Sequence, residues 1–247
     1  MDFATDADVE AEQAILAVLR AARPADSYRG EELGSSGNDG ADRAWLIDPV
    51  CGTLNFAAQT PMMAVNVALR ADGRIEAAAC ADPLAGEVFW TDGERALVRR
   101  DGRDRAILPS AATRLVDVNL DPPFPNGDRF LAVRMLADPA FAARFRARVL
   151  STTLALAWVA AGRRAAYVTD GHLRDSVHFP AGIALCQAAG CVVSGLQGQP
   201  LHTGAGGLVA AADHQTHAAL VEMIDRQFTA LPAAREVQGC QSGLRPR

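Results

Sequence analysis

Trp45 to Phe56 reads WLIDPVCGTLNF. Apolar residues lead into Asp48-Pro49, which ends a short strand, and Gly52-Thr53 follows at a helix start. Free amides and the helix dipole favour an anion there. This is the layout of a metal-phosphate site, with Cys51 standing where such a loop offers a carboxylate. Glu31, in the preceding Gly30-Glu31-Glu32, is placed to reach the same spot. Each residue alone has a plain reading: Asp before Pro is common in turns, and paired Glu in a loop is usually solvated. The combination is more specific.

Outward from that stretch, helical spacing over Asp6 to Arg23 (Val9, Ile15, Leu16, Leu19) predicts a helix capped by Thr5 or Asp6 and stopped by Pro24. Asp26 to Ala41 reads as loop and Ala44 to Ile47 as a buried strand. Met62 to Arg70 and Arg74 to Ala81 flank Asp72-Gly73 as a hairpin, and Glu87 to Thr91 and Arg95 to Arg99 flank Asp92-Gly93 as another. The pattern resets near Ala106 to Thr113. Leu115 to Leu120 begins a second set: helices at Pro139 to Leu150 and Thr152 to Ala161, a strand at Arg164 to Thr169, and a helix at Phe179 to Ala189. Strands at Cys191 to Ser194 and Leu208 to Ala211 precede a closing helix at Asp213 to Phe228. Two α/β halves, 1–112 and 113–247, with a site between them, are expected.

The 247 residues are 49% hydrophobic and carry a formal charge of −5 with interspersed signs. That bulk supports a sizeable core and argues against nucleic acid as a partner. No apolar run approaches the roughly 20 residues of a membrane span, and the acidic N-terminus carries no signal peptide. Cysteines 51, 80, 186, 191 and 240 form neither a disulfide framework nor a paired zinc motif. A cytoplasmic setting is expected.

Gly30-Glu31-Glu32, WLIDPVCGTLNF and Pro61 resemble the signature of the inositol monophosphatase family. So do RVLSTTLALAWVAAGR (148–163) and AGIALCQAAGCVVSGLQGQPL (181–201). The resemblance runs from about Thr5 to Ala211. It implies an α/β (α+β) fold, a layered α-β-α-β-α sandwich, with Mg²⁺ ions held by carboxylates between the halves and a homodimer open to it. Two departures stand out. The family's Asp-Pro-x-Asp-Gly-Thr has Cys51 for its second Asp, and its later Trp-Asp is Val177-His178. Glu31, Asp48 and Thr53 are retained, whereas the two lost carboxylates belong to the same second metal. Thiol and imidazole do not suit Mg²⁺, so neither metal nor cofactor is expected.

Side chains that replace ligands of one ion lie close together, so Cys51 and His178 are expected to pair as nucleophile and base. The amides of Gly52 and Thr53, with Asp48, would bind substrate or form an oxyanion hole. Asp82, at the end of a strand running the same way as Ala44 to Ile47, is preferred to Asp48 for orienting the imidazole. Such a triad in this shell resembles the Dieckmann cyclases of tetramic acid and pyridone biosynthesis. That resemblance implies a β-ketoacyl-aminoacyl thioester on a carrier protein as partner and substrate, attack by Cys51, proton removal by His178 and ring closure. Thioester hydrolysis or acyl transfer by the same dyad, a one-metal phosphatase on Glu31 and Asp48, a soft-metal site on Cys51, His178 and Asp48, and a non-catalytic relative are the alternatives.

Overall fold

A computed structural model describes residues 5–230; Cys240 lies outside them. The chain begins with α1 (Asp6–Ala22), whose N-terminus is closed by a capping box between Thr5 and Asp8. Then come β1 (Ser27–Gly30), β2 (Ser35–Gly37), β3 (Arg43–Cys51), the short α2 (Thr53–Ala57) and β4 (Ala64–Ala71). β5 (Arg74–Asp82), β6 (Glu87–Thr91), β7 (Ala96–Arg100) and β8 (Arg103–Ala106) complete an eight-stranded sheet of order β2-β1-β3-β4-β5-β6-β7-β8. From β3 onward it is an antiparallel meander; β1 joins β3 in parallel.

The second set comprises β9 (Leu115–Val118), α3 (Ala132–Leu136), α4 (Pro139–Arg144), β10 (Arg146–Val149), α5 (Leu154–Ala160) and β11 (Ala166–Thr169). It ends with α6 (Pro180–Ala189), β12 (Val192–Ser194), β13 (Leu208–Ala211) and α7 (His214–Thr229). Its five strands lie in the order β10-β9-β11-β13-β12.

The layers follow from which faces are apolar. Leu16 of α1 packs with Tyr28 and Ile47 on one face of the large sheet. On its other face, Cys80 and Phe89 join Leu154, Leu156, Ile183 and Leu185 of α5 and α6. Those helices also bury Tyr167 and Leu208 of the small sheet, whose far face packs Val116 and Val168 against Leu220 and Ile224 of α7. The result is the expected α-β-α-β-α sandwich.

Two local expectations are corrected. Residues 26–41 are not all loop: Tyr28 and Gly30 turn inward, and β1 gains parallel partners on β3, which a short segment rich in Gly and Ser cannot announce. Pro139 to Leu150 is not one helix. It ends at Arg144, Phe145 is extended, and Arg146–Val149 pairs in parallel with β9. Sheet pairing overrides local helical preference there.

Candidate active site

β3 and β4 keep register up to Asp48 opposite Asn66, and the ladder slips before Cys51 meets Ala64. The slip surrounds Pro49, which has no N–H to donate. It carries Asp48, fully buried, and Cys51 to the inner end of the strand. Gly52 follows at φ 109°, and a Cβ there would come within 2.8 Å of the Met62 carbonyl. The turn therefore requires glycine. The Thr53 hydroxyl lies 3.0 Å from the Val50 carbonyl and 3.2 Å from Asp8 Oδ1.

Glu31 arrives from the end of β1. Its loop is gripped by Glu12 of α1, whose buried carboxylate accepts from the Glu32 amide (2.8 Å) and the Leu33 amide (3.1 Å). Burial, reinforced by the charge of Asp48, pushes the Glu31 carboxyl up to about 8, and His178 acts against that rise.

His178 precedes Phe179, the N-cap of α6. Its Nδ1 lies 2.9 Å from Asp48 Oδ2 and 3.8 Å from Glu31 Oε2. Cys51 Sγ accepts from the Thr153 amide (3.2 Å) and hydroxyl (2.9 Å). Burial raises the thiol well above its ordinary value; the Asp48 charge adds to this and the Thr153 donors oppose it. Cys51 is thus a protonated thiol at neutral pH, not the thiolate expected from its place before a helix. α2 has only five residues, and burial with the Asp48 charge outweighs the Thr153 donors.

The structure brings Asp48, Cys51 and His178 together: one ligand atom from each lies within 4.8 Å of the other two. Asp82 is placed otherwise. Its Oδ1 accepts from the Ala85 amide at 2.9 Å, the role of a turn residue ahead of Pro83, and Asp48 is the carboxylate against the His178 ring. Asp175 is exposed and faces Arg29 at 4.0 Å. His217 shares a 2.7 Å hydrogen bond with Ser194, while His172 and His202 line a cavity of about 570 Å³ away from this cluster's residues.

Sequence reasoning missed Asn66, Thr153 and Glu12. Asn66 Nδ2 donates to Thr153 Oγ1 (2.7 Å) and lies 3.4 Å from Asp48 Oδ2, which ties the strand to the start of α5. A polar residue on the inward parity of AVNVALRA was its available signal. Glu12 had one too, as an acid on the apolar face of α1.

The inositol monophosphatase family model matches residues 1–227. The inositol-1-monophosphatase of Caulobacter vibrioides is 30% identical over 90% of this chain and 87% of its own length. The Nus factor SuhB of Pseudomonas aeruginosa is 35% identical over 80% and 73%. The crystal structure of the extragenic suppressor protein suhB from Bartonella henselae superposes with a TM-score of 0.79 at 26% identity, covering 91% of this chain and 85% of that one. These relatives overturn the expectation of a thiol-dependent Dieckmann cyclase forming tetramic acids or pyridones. With it goes the partner assignment, a carrier-protein-bound thioester to the exclusion of nucleic acid, since the matched proteins bear the names of phosphatases and Nus factors. Among the described residues no helix is long and apolar enough to cross a membrane. From the first helix to the last, this chain belongs to the inositol monophosphatase family.

Proposed function

We propose that this protein is a phosphatase of its family's type, releasing phosphate from a small phosphate monoester with one divalent cation on Glu31 and Asp48. One observation carries the reading. Glu31 Oε2 and Asp48 Oδ1 are buried with no hydrogen-bond partner among the described residues. Buried carboxylate oxygens without donors are costly unless a cation or water meets them.

The donor set fits one cation and does not fit a pair of Mg²⁺ ions. Mg²⁺ asks for oxygen ligands in near-octahedral array, and Cys51 and His178 supply sulfur and nitrogen at the second position. A bound divalent ion would supply Lewis acidity toward a phosphoryl oxygen. The chain's own residues do the rest. Glu31 and Asp48 hold the ion's side of the site. Gly52 and Thr53, at the sharp turn after β3, present backbone amides to the phosphate. His178 orients Asp48 through the 2.9 Å contact. A cytoplasmic setting belongs to the same reading and suits the four free thiols among the described residues.

The test is phosphate release from inositol monophosphate with Mg²⁺, Mn²⁺ or Zn²⁺, beside Asp48→Asn and an EDTA-treated sample. Metal-dependent release that Asp48→Asn lowers by about 10²-fold or more, a loss of about 2.7 kcal/mol in the transition state, supports it. Folded protein that releases no phosphate above the blank with any of the three ions overturns it.

A further inference from the structure

The geometry points to a thiophilic metal site, formed by Asp48, Cys51 and His178, that takes Zn²⁺ or a similar transition ion instead of Mg²⁺. It goes beyond the phosphatase reading by assigning the second position, beside the Glu31 and Asp48 cation, its own class of ion, and it rests on that reading only for its use in turnover.

The chemistry of the donors sets the class. Carboxylate, thiolate and imidazole together are ligands of zinc and its first-row neighbours, not of magnesium. Bond lengths of about 2.0–2.3 Å place tetrahedral zinc ligands roughly 3.3–3.8 Å apart. Here one atom from each residue lies within 4.8 Å of the others, and the Asp48–His178 contact is 2.9 Å. The Asp48–His178 contact is a hydrogen bond shorter than that spacing, so ring and carboxylate part slightly to share an ion. Asp48 and Cys51 are buried, on a strand end and its slip, and His178 is half-buried on the helix side.

Two further observations point to a ligand. Asp48 Oδ1 is fully buried and lacks a hydrogen-bond partner, and Glu31 Oε2 beside it is in the same state. Glu31 Oε2, 3.8 Å from His178 Nδ1, is placed to complete the set or to leave the fourth position to water. The sulfur is also prepared. The Thr153 amide and hydroxyl both donate to Sγ, and donors of that kind around a first ligand orient it and tune the metal. A neutral thiol accepts weakly; a metal-bound thiolate uses both donors fully. On binding, the Cys51 S–H bond breaks, the sulfur–metal bond forms, and the proton leaves to solvent.

Co²⁺ is the probe. The full chain, stripped with EDTA and dialysed free of it, is titrated with Co²⁺ while its absorption spectrum is recorded, beside Cys51→Ser, His178→Ala and Cys191→Ser. A single-site, thiolate-to-cobalt charge-transfer band is expected in the wild type and in Cys191→Ser. It vanishes in Cys51→Ser, and His178→Ala weakens binding by more than the about 10–100-fold expected for loss of an outer partner. Zn²⁺ displaces the cobalt and Mg²⁺ at equal concentration does not. Absence of the band, its persistence in folded Cys51→Ser, or displacement by Mg²⁺ overturns the site. Should Cys51→Ser fail to fold, unchanged cobalt affinity in His178→Ala overturns it instead. Because binding is read without turnover, a cobalt band in a protein that releases no phosphate refutes the phosphatase reading alone, and phosphate release without a band refutes the thiophilic site alone.

Discussion

At Cys51 the environment, not the residue type, decides the chemistry. Two donors from Thr153 favour a thiolate, yet burial and the neighbouring Asp48 charge outweigh them and keep the proton on sulfur. Glu31 shows the same competition with a measurable consequence. Its carboxyl is raised to about 8 in the fold from an ordinary 4.5, so the folded state holds a proton that the unfolded chain has released over that range. The folded state binding more protons, stability falls as pH rises from about 4.5 through 8. Glu31→Gln, which stays neutral, is expected to remove this part of the slope. In EDTA its melting temperature at pH 8.5 should exceed the wild type's by ~3 °C, the size of about 1 kcal/mol in a chain of this length, with no gain at pH 4.5. Equal slopes for the two proteins would exclude Glu31 as the titrating group.

At the scale of elements, the site depends on how α1 meets the β1 end. Glu12 is fully buried and spends both oxygens on the amides of Glu32 and Leu33. Gly30 leaves room for it, since a Cβ there would lie 1.7 Å from Glu12 Oε1 and displace the carboxylate. Glu12→Ala is expected to leave those two amides unpaired and to lower stability by about 1.5–3 kcal/mol per charged hydrogen bond lost. Urea denaturation measures the total. Amide exchange at residues 31–33 should quicken while β3 stays protected; unchanged exchange there would show that α1 does not hold the loop. Thr53 ties to the same helix through Asp8 Oδ1, so α1 positions both flanks of the candidate site without entering it.

Across the whole molecule, two sheets share one middle layer, and the crossing of α5 and α6 sets their separation. Gly182 lies at that crossing: a Cβ would come within 2.6 Å of Leu156 Cδ1 and 2.7 Å of its Cβ. Gly182→Ala is expected to overpack the layer and cost about 1–3 kcal/mol, read as a lower urea midpoint with unchanged slope. Full stability would mean that the layer has slack. The same crossing sets the span between Cys51 and His178, because α6 begins two residues after the imidazole and Thr153 opens α5 against the sulfur. Gly182→Ala should therefore also weaken cobalt binding if the metal site forms.

From strand parity and helix spacing the chain alone determined two α/β halves; the layered sandwich was legible through the resemblance of Gly30-Glu31-Glu32 and WLIDPVCGTLNF to the inositol monophosphatase signature. Through that same resemblance WLIDPVCGTLNF and the Val177-His178 position were legible as one locus, and the structure does bring Asp48, Cys51 and His178 together. β1, β2 and β10 were not legible, since short strands rich in Ser, Gly and Arg lack the apolar runs that marked β9, β11, β12 and β13 and exist through their partners' hydrogen bonds. The choice between Asp82 and Asp48 was hidden for a related reason: they lie on strands that run the same way, and only the folded contacts set Asp48 against the His178 ring and Asp82 on the Ala85 amide. The protonation of Cys51 and Glu31 belongs wholly to the tertiary structure. Residue type sets an ordinary pKa, but burial and the charges that folding places nearby move it, and neither exists until the layers close.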